Sequence, residues 1–181
     1  MSHDAVGHVP TTGRGSMPFL LLRGEPLVVL ASWALEYAGV RLLDFTDTWA
    51  DVRAYDAPLV LHDPLCPLAP ADHLAACVAV AVEDDVVAVG VRPVTDTMKT
   101  IADGVVGRTV DREELAAVAT PVVLPAAVVA ALDDWPALDD LAALVERLRE
   151  RFEVRLVEAP ALARRVQDES DLALLDALAA G

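Results

Sequence analysis

This 181-residue sequence is poor in several residue types, and each shortage excludes a class of protein. The two cysteines, Cys66 and Cys77, are too few and too isolated for a disulfide framework or a zinc site. Lysine occurs once, at Lys99, and the acids outnumber Lys and Arg by 29 to 14, which argues against a nucleic-acid partner. Aromatic residues make up only 4%, so the core must consist mainly of Val, Leu and Ala.

Long uncharged apolar runs are also missing. None reaches the roughly 18 residues that suggest a membrane-spanning helix. The first sixteen residues are polar and Gly-rich, which is unlike a secretion signal. We therefore expect a cytoplasmic protein with no membrane contact.

The apolar content of 55% is enough for a core, and the length fits a single domain over residues 1–181. Strands alternate with helices in the predicted pattern, which indicates an α/β fold with a mostly parallel sheet. Residues 1–17 are predicted to be partly loose, 46–56 a polar connection, and 100–108 a hairpin or arm. The predicted strands cover 40–45, 59–61, 86–91 and 154–157. The predicted helices cover 25–37, 70–82, 111–119, 125–132, 138–152 and 170–180.

Ligands of open α/β sheets bind at the carboxyl ends of the strands. Three polar segments follow predicted strands or precede the first helix, namely 11–16, 62–67 and 93–99. The last of these contains Lys99 between threonines, which suggests a site for an anionic small molecule. The alternative is an exposed loop lysine, the usual situation for this residue.

Several segments carry a resemblance to a known family. They are VRPVTDTMK at 91–99, TVDR at 109–112, Thr120-Pro121, RRV at 164–166 and VLHD at 60–63. In order and spacing they resemble the 2-C-methyl-D-erythritol 4-phosphate cytidylyltransferases of non-mevalonate isoprenoid biosynthesis. The resemblance is most specific over 86–121 and weakest before residue 60.

The resemblance implies a Rossmann-like nucleotidyltransferase domain with a protruding β-arm at about 93–111. In the family that arm forms a homodimer. The implied reaction is attack of a sugar-alcohol phosphate on the α-phosphate of CTP, with Mg²⁺ as cofactor and pyrophosphate as leaving group.

Individual site residues follow from the same resemblance. Substrate binding is implied for four positions: Thr97, Arg112, Thr120 and Arg165. Gly13, Gly15 and Asp63 are implied to contact the nucleotide, with Asp63 also a candidate Mg²⁺ ligand and Arg14 the candidate catalytic cation. The ordinary alternatives are a turn-forming Thr97, a solvated helix arginine at Arg112 and a turn-capping Asp63.

The sequence departs from the family on the CTP side. The glycine-rich loop is shortened, and no lysine follows it. The family's cytosine-reading stretch has no counterpart between Phe45 and Leu59, and Pro64-Leu65-Cys66-Pro67 replaces an Ala-Ala-Arg-Pro segment. Two hypotheses therefore stand. One is a divergent cytidylyltransferase, and the other is an inactive homologue that binds a phosphorylated ligand or acts as a dimerising partner.

Overall fold

A computed structural model describes residues 5–93, 99–102, 105–109 and 116–180, with the backbone alone for the segments between 99 and 116. Ten strands are numbered along the chain: β1 Val6–His8, β2 Leu21–Leu22, β3 Glu25–Pro26, β4 Arg41–Leu42, β5 Leu59–Leu61, β6 Val87–Pro93, β7 Lys99–Ala102, β8 Val105–Thr109, β9 Ala116–Leu124 and β10 Val154–Glu158. The α-helices are α1 Leu27–Tyr37, α2 Trp49–Ala54, α3 Ala71–Asp84, α4 Ala126–Ala131, α5 Leu141–Arg149 and α6 Glu169–Leu178.

Six strands form the central sheet in the order β10-β6-β9-β5-β1-β4. The pairs β10–β6, β5–β1 and β1–β4 are parallel, while β9 runs antiparallel to both of its neighbours. The expected α/β fold with a mostly parallel sheet is confirmed.

Helices cover both faces of the sheet, so alternate residues of one strand enter different cores. In β5, Leu59 and Leu61 face the core that contains α5, whereas Val60 faces the core that contains α3. All three side chains are fully buried. Burial on both faces is what a continuous apolar strand in a covered sheet requires.

The helix α5 supplies one side of the first core. Its apolar stripe consists of Leu141, Leu144, Val145 and Leu148, all buried, as their helical spacing predicts. The carboxylate of Asp140 caps the helix by accepting hydrogen bonds from the amides of Ala142 and Ala143 at 2.9 and 3.1 Å. This cap places an acidic residue at the carboxyl-end edge of the sheet.

Two predictions of local structure were wrong, and one strand was missed. The segment 1–17, predicted to be partly loose, contains β1, which is hydrogen-bonded on both sides. The connection 46–56 contains helix α2, begun by a reciprocal capping box between Thr48 and Asp51. The predicted helix 111–119 is wrong at its end, because Ala116 starts β9 and the strand continues through Pro121.

The two strands β7 and β8 form a separate antiparallel pair. A hairpin was predicted over this part of the chain, and its backbone is confirmed. None of the helices in the described ranges has the length and hydropathy needed to cross a membrane.

Candidate functional site

The loop that follows β1 lies at the carboxyl-end edge of the sheet and has an unusual backbone. Gly13 and Gly15 have φ angles of 77° and 57°, a region that favours glycine. The amides of Arg14 and Met17 are bonded within the loop, to the carbonyls of Thr11 and Arg14 at 3.3 Å each. No described residue accepts a hydrogen bond from the four other amides of this loop, those of residues 12, 13, 15 and 16. Unpaired loop amides beside residues with a left-handed backbone are suited to donate hydrogen bonds to an anion.

Arg14 ties this loop to the rest of the molecule. Its Nε donates to Asp63 at 2.9 Å, and its Nη1 donates to the carbonyls of Thr12 and Leu138 at 2.7 and 2.9 Å. The side chain is only 2% exposed. Arg14 is therefore a buried cross-link between the loop, β5 and the segment before α5.

Asp63 joins two guanidinium groups. One carboxylate oxygen accepts from Arg14, and the other accepts from Nε of Arg165 at 3.0 Å. The side chain of Arg165 is 43% exposed, in contrast to that of Arg14. Among the described residues no acceptor engages the Nη atoms of Arg165, so they are available to a ligand.

The protonation state of Asp63 follows from these contacts. Burial by itself would raise the pKa of this carboxyl, but Arg14, the amide of Leu65 and Arg165 outweigh that effect and lower the pKa below its ordinary value. Asp63 is therefore an anion at neutral pH, and its single negative charge is shared between Arg14 and Arg165.

These side chains line a pocket of about 320 Å³ at the carboxyl-end edge. Its charged residues are Arg14, Asp63, Asp139, Asp140 and Arg165. Two guanidiniums thus face three carboxylates, so the pocket as described is not positively charged.

The glycine-rich loop packs closely against the acidic wall of this pocket. A Cβ atom on Gly13 would lie 2.7 Å from Cβ of Asp139, which is closer than real side chains approach. Gly13 is needed here both for its left-handed backbone and for this contact.

Thr120 lies in the strand next to Asp63 but is completely buried. Its Oγ1 is 2.6 Å from Nδ1 of His62 and accepts a hydrogen bond from the amide of Asp63 at 3.2 Å. Its carbonyl accepts a hydrogen bond from Nε2 of His73 at 2.9 Å. Thr120 is therefore embedded in a buried polar network and does not line the pocket.

Burial lowers the pKa of His62 to about 4, with Asp63 opposing and His73 reinforcing the effect. The ring is neutral at physiological pH. Both thiols are inert for a similar reason, since burial raises the pKa of Cys77 to about 12 and that of Cys66 still further.

The donors for a metal ion are limited. Within the described ranges no three His, Cys, Asp or Glu residues are grouped so that they could hold a metal ion. Both oxygens of Asp63 are paired with guanidiniums, so a metal bound there would have to displace one of them. Asp139 is the pocket carboxylate to which no described residue donates a hydrogen bond. The residues therefore do not fit a preformed Mg²⁺ site.

The structure brings together much of the predicted site. Arg14, Asp63 and Arg165 line one pocket, Gly13 packs against Asp139 at its wall, Gly15 lies in the same loop, and Thr120 is adjacent but buried. Thr97 and Arg112 lie outside the described residues, and the side chain of Lys99 is not described either. Sequence reasoning missed His62, Asp139 and Asp140 as parts of the site. The pair His62-Asp63 after a buried strand was the available signal, whereas nothing in the sequence connects 139–140 to the loop.

Fold and site together define the class of protein: this is the Rossmann-like nucleotidyltransferase fold, with a glycine loop and a charged pocket at its carboxyl-end edge. Residues 50–180 match the family model described as 2-C-methyl-D-erythritol 4-phosphate cytidylyltransferase. The chain therefore belongs to the 2-C-methyl-D-erythritol 4-phosphate cytidylyltransferase family, as the resemblance predicted.

Individual proteins and solved structures that are similar to this chain support the same family assignment. A protein of that name from Pectobacterium atrosepticum is 36% identical over 100 residues, which are 52% of this chain and 42% of that relative. The crystal structure of the Thermus thermophilus protein of that name superimposes with a TM-score of 0.67 at 25% identity, over 100% of both chains. A 4-diphosphocytidyl-2C-methyl-D-erythritol synthase from Anaerococcus prevotii gives a TM-score of 0.68 at 13% identity, over 98% of this chain and 95% of that one.

Proposed function

We propose that this protein is a cytidylyltransferase that transfers CMP from CTP to a sugar-alcohol phosphate of the methylerythritol type. Family membership supports the reaction class. The observation that carries the proposal in the structure is the glycine loop with its free amides, which Arg14 anchors beside the Asp63–Arg165 pair.

The roles of the site residues follow from their contacts. The free amides of the loop are suited to hold phosphate oxygens of the nucleotide. Arg14 positions the loop, because its guanidinium is already occupied by three acceptors. Arg165 is the described cation that can reach a phosphate, and it acts by orientation and charge stabilisation rather than by proton transfer. Thr97 and Arg112 remain the proposed ligands of the substrate phosphate.

The cofactor proposed is Mg²⁺, which supplies positive charge to the polyphosphate when it is bound. Because the pocket has three carboxylates and two guanidiniums, the triphosphate needs a cation of its own. Mg²⁺ commonly binds through substrate phosphates and keeps several waters. Of the protein groups, Asp139 has the carboxylate that is free to approach such a complex.

We also propose a homodimer formed through the arm that contains β7 and β8. An antiparallel hairpin separate from the central sheet supports this proposal, because an isolated two-stranded hairpin is marginally stable alone. Light scattering coupled to size-exclusion chromatography tests it, and deletion of 94–115 with a short Gly-Ser replacement should give a monomer. An unchanged mass would contradict the arm-mediated dimer.

The enzyme proposal is tested by pyrophosphate release from CTP in the presence of methylerythritol phosphate and Mg²⁺. We expect turnover that requires all three components and that falls strongly in Arg165→Gln. Arg164→Gln is the matched control, because Arg164 pairs with Asp171 on α6 and not with Asp63. Absence of turnover together with measurable binding of either ligand would favour the alternative, a binding protein without catalysis.

A further inference from the structure

The buried network around Thr120 is not explained by the proposed chemistry, since Thr120 does not reach the pocket. His62 and Thr120 are both 0% exposed, and their side chains meet at 2.6 Å. Nε2 of His62 is buried and has no hydrogen-bond partner in the described part of the chain. An unpaired buried polar atom is uncommon and calls for a functional or structural reason.

Counting donors and acceptors determines the direction of the His62–Thr120 hydrogen bond. If Nδ1 carried the proton, the Thr120 hydroxyl hydrogen and the Nε2 lone pair would both lack a described partner. If the hydroxyl donates to Nδ1, only the Nε2 proton is unpaired. The second arrangement leaves fewer buried groups unsatisfied and is therefore favoured.

This direction determines what the oxygen of Thr120 can do. With its hydrogen directed at His62, Oγ1 presents its lone pairs to the amide of Asp63, which donates to it at 3.2 Å. The hydroxyl is thus fully used within the protein. It contacts the main chain of the residue whose carboxylate joins Arg14 and Arg165.

The main chain of Thr120 is held as firmly as its side chain. Its carbonyl accepts from His73 of helix α3 at 2.9 Å. The carbonyl also approaches β6 so closely that a Cβ atom on Gly90 would lie 1.9 Å from it. Thr120 is therefore fixed from α3 and β6, and it transmits that position to Asp63.

We propose that His62 and Thr120 are positioning residues for Asp63. His62 fixes the direction of the Thr120 hydroxyl, the hydroxyl fixes the Asp63 main chain, and Asp63 then orients Arg165 toward the pocket. The functional part of this inference rests on the proposed function, whereas the hydrogen-bond arrangement does not. It also reassigns Thr120 from contact with substrate to support of the residue that holds the contact.

The arrangement is tested directly by nitrogen-15 NMR of the histidine rings in the wild-type protein at pH 7. We expect His62 to carry its proton on Nε2, with an unprotonated, hydrogen-bonded Nδ1. We also expect the Asp63 amide to be strongly protected from hydrogen exchange. A proton on Nδ1, or fast exchange of the Asp63 amide, would overturn the inference without any variant having to fold.

The functional part is tested by the matched pair Thr120→Val and Thr120→Ser, because serine keeps the hydroxyl and valine keeps the shape. The probe is calorimetric titration with methylerythritol phosphate. Thr120→Val removes the hydroxyl that holds the Asp63 amide, and the loss of that hydrogen bond should raise the Kd about three- to tenfold. The Kd of Thr120→Ser should remain within about twofold of the wild-type value, because serine keeps the hydroxyl and its hydrogen bond to the Asp63 amide.

The valine variant should also expose the Asp63 amide to exchange while the amides of β6 stay protected. Equal effects of valine and serine would show that Thr120 contributes packing alone and would refute the positioning role. If the wild type binds neither methylerythritol phosphate nor CTP, the proposed function fails. The NMR result on His62 and Asp63 then still decides whether the hydrogen-bond arrangement exists.

Discussion

The two arginines that share Asp63 should respond very differently to removal. The change we consider is the replacement of each by methionine, which keeps an unbranched apolar side chain and removes the guanidinium. Arg14→Met leaves a carboxylate that is 5% exposed with one partner fewer, and it also leaves the carbonyls of Thr12 and Leu138 without their donor. Arg165→Met removes a partner whose side chain is 43% exposed.

Burial determines the sizes of the two effects. The side chain of Arg14 is 2% exposed and that of Arg165 is 43% exposed, against the same Asp63. Breaking a buried ion pair by removing one partner costs about 3–5 kcal/mol. The Arg165–Asp63 pair joins a half-exposed guanidinium to a buried carboxylate, so solvent screening brings its contribution toward the value of about 1 kcal/mol that is typical of surface pairs. A domain has only about 5–15 kcal/mol of stability in total, so Arg14→Met should remove a large part of it.

Urea unfolding followed by circular dichroism measures both free energies of unfolding. We expect Arg14→Met to be less stable than Arg165→Met by at least about 2 kcal/mol. Calorimetry with methylerythritol phosphate should show the larger loss of affinity per folded molecule in Arg165→Met. Equal destabilisation, or a milder effect of Arg14→Met, would refute the assignment of Arg14 as a buried cross-link.

Three further predictions follow from close contacts and from burial. Gly90→Ala should destabilise the protein by more than about 3 kcal/mol, because the new methyl group would lie 1.9 Å from the Thr120 carbonyl and overpacking of a rigid backbone is costly. A fall in Tm of less than a few degrees in a thermal melt would contradict this prediction. His62 is neutral in the folded protein, because burial lowers its pKa from 6.5 to about 4. Between these two pH values unfolding takes up a proton. The free energy of unfolding should therefore decline by up to about 3 kcal/mol as the pH falls from 6.5 to 4. In His62→Asn this part of the pH dependence should be absent from urea titrations at pH 7 and 5, and an unchanged slope would show that His62 is not its source. Gly13→Ala should weaken binding of CTP·Mg²⁺ by tenfold or more, because a Cβ atom there would lie 2.7 Å from Cβ of Asp139 and the residue has a left-handed backbone. Gly24→Ala is the control for backbone strain alone, since Gly24 has a similar backbone with no atom near its Cβ position. Equal losses of affinity in the two variants, measured by calorimetry, would contradict a role for the loop.

The sequence was sufficient to predict those helices and strands that have a strong local pattern. The strand β6 and the apolar stripe of α5 were predicted within a few residues, because a short run rich in β-branched residues favours a strand and apolar residues at helical spacing favour a helix. Strand β1 was missed although β5, which also has three residues, was predicted. The difference lies in composition, because Leu59–Leu61 is a continuous apolar run whereas Val6–His8 contains a glycine and a histidine. A short strand of mixed composition has no local pattern that distinguishes it from a loop, and β1 is stabilised by its partners on both sides.

The error at β9 has a different physical cause. A capping-box pattern at Asp111 and Glu114 followed by alanines favours a helix on propensity alone, but Ala116–Leu124 is inserted between two strands of the sheet. Pro121 is compatible with that position because the register between β6 and β9 shifts there, between Val89 and Val91. A bulge needs no ladder hydrogen bond from the proline nitrogen.

The sequence allowed the residues of the candidate site to be predicted, but not the role of each residue. The convergence of Arg14, Asp63 and Arg165 follows from strands whose carboxyl ends meet at one edge. Their roles depend on burial, which no single sequence contains. A sequence presents two equivalent arginines, whereas the structure shows one enclosed by carbonyls and one facing the pocket.

This distinction bears on how a family member can dispense with the lysine after the glycine loop. Arg14 does not replace that lysine, because its guanidinium is buried and is held by Asp63 and by the carbonyls of Thr12 and Leu138. What Arg14 supplies is position, since it ties the glycine loop to Asp63 and to the carbonyl of Leu138. Neutral dipoles fixed in advance stabilise an anion without the desolvation cost of another charged side chain. The proposed phosphate chemistry therefore depends on backbone geometry and on the proposed Mg²⁺, and a single lysine in the whole sequence is compatible with it.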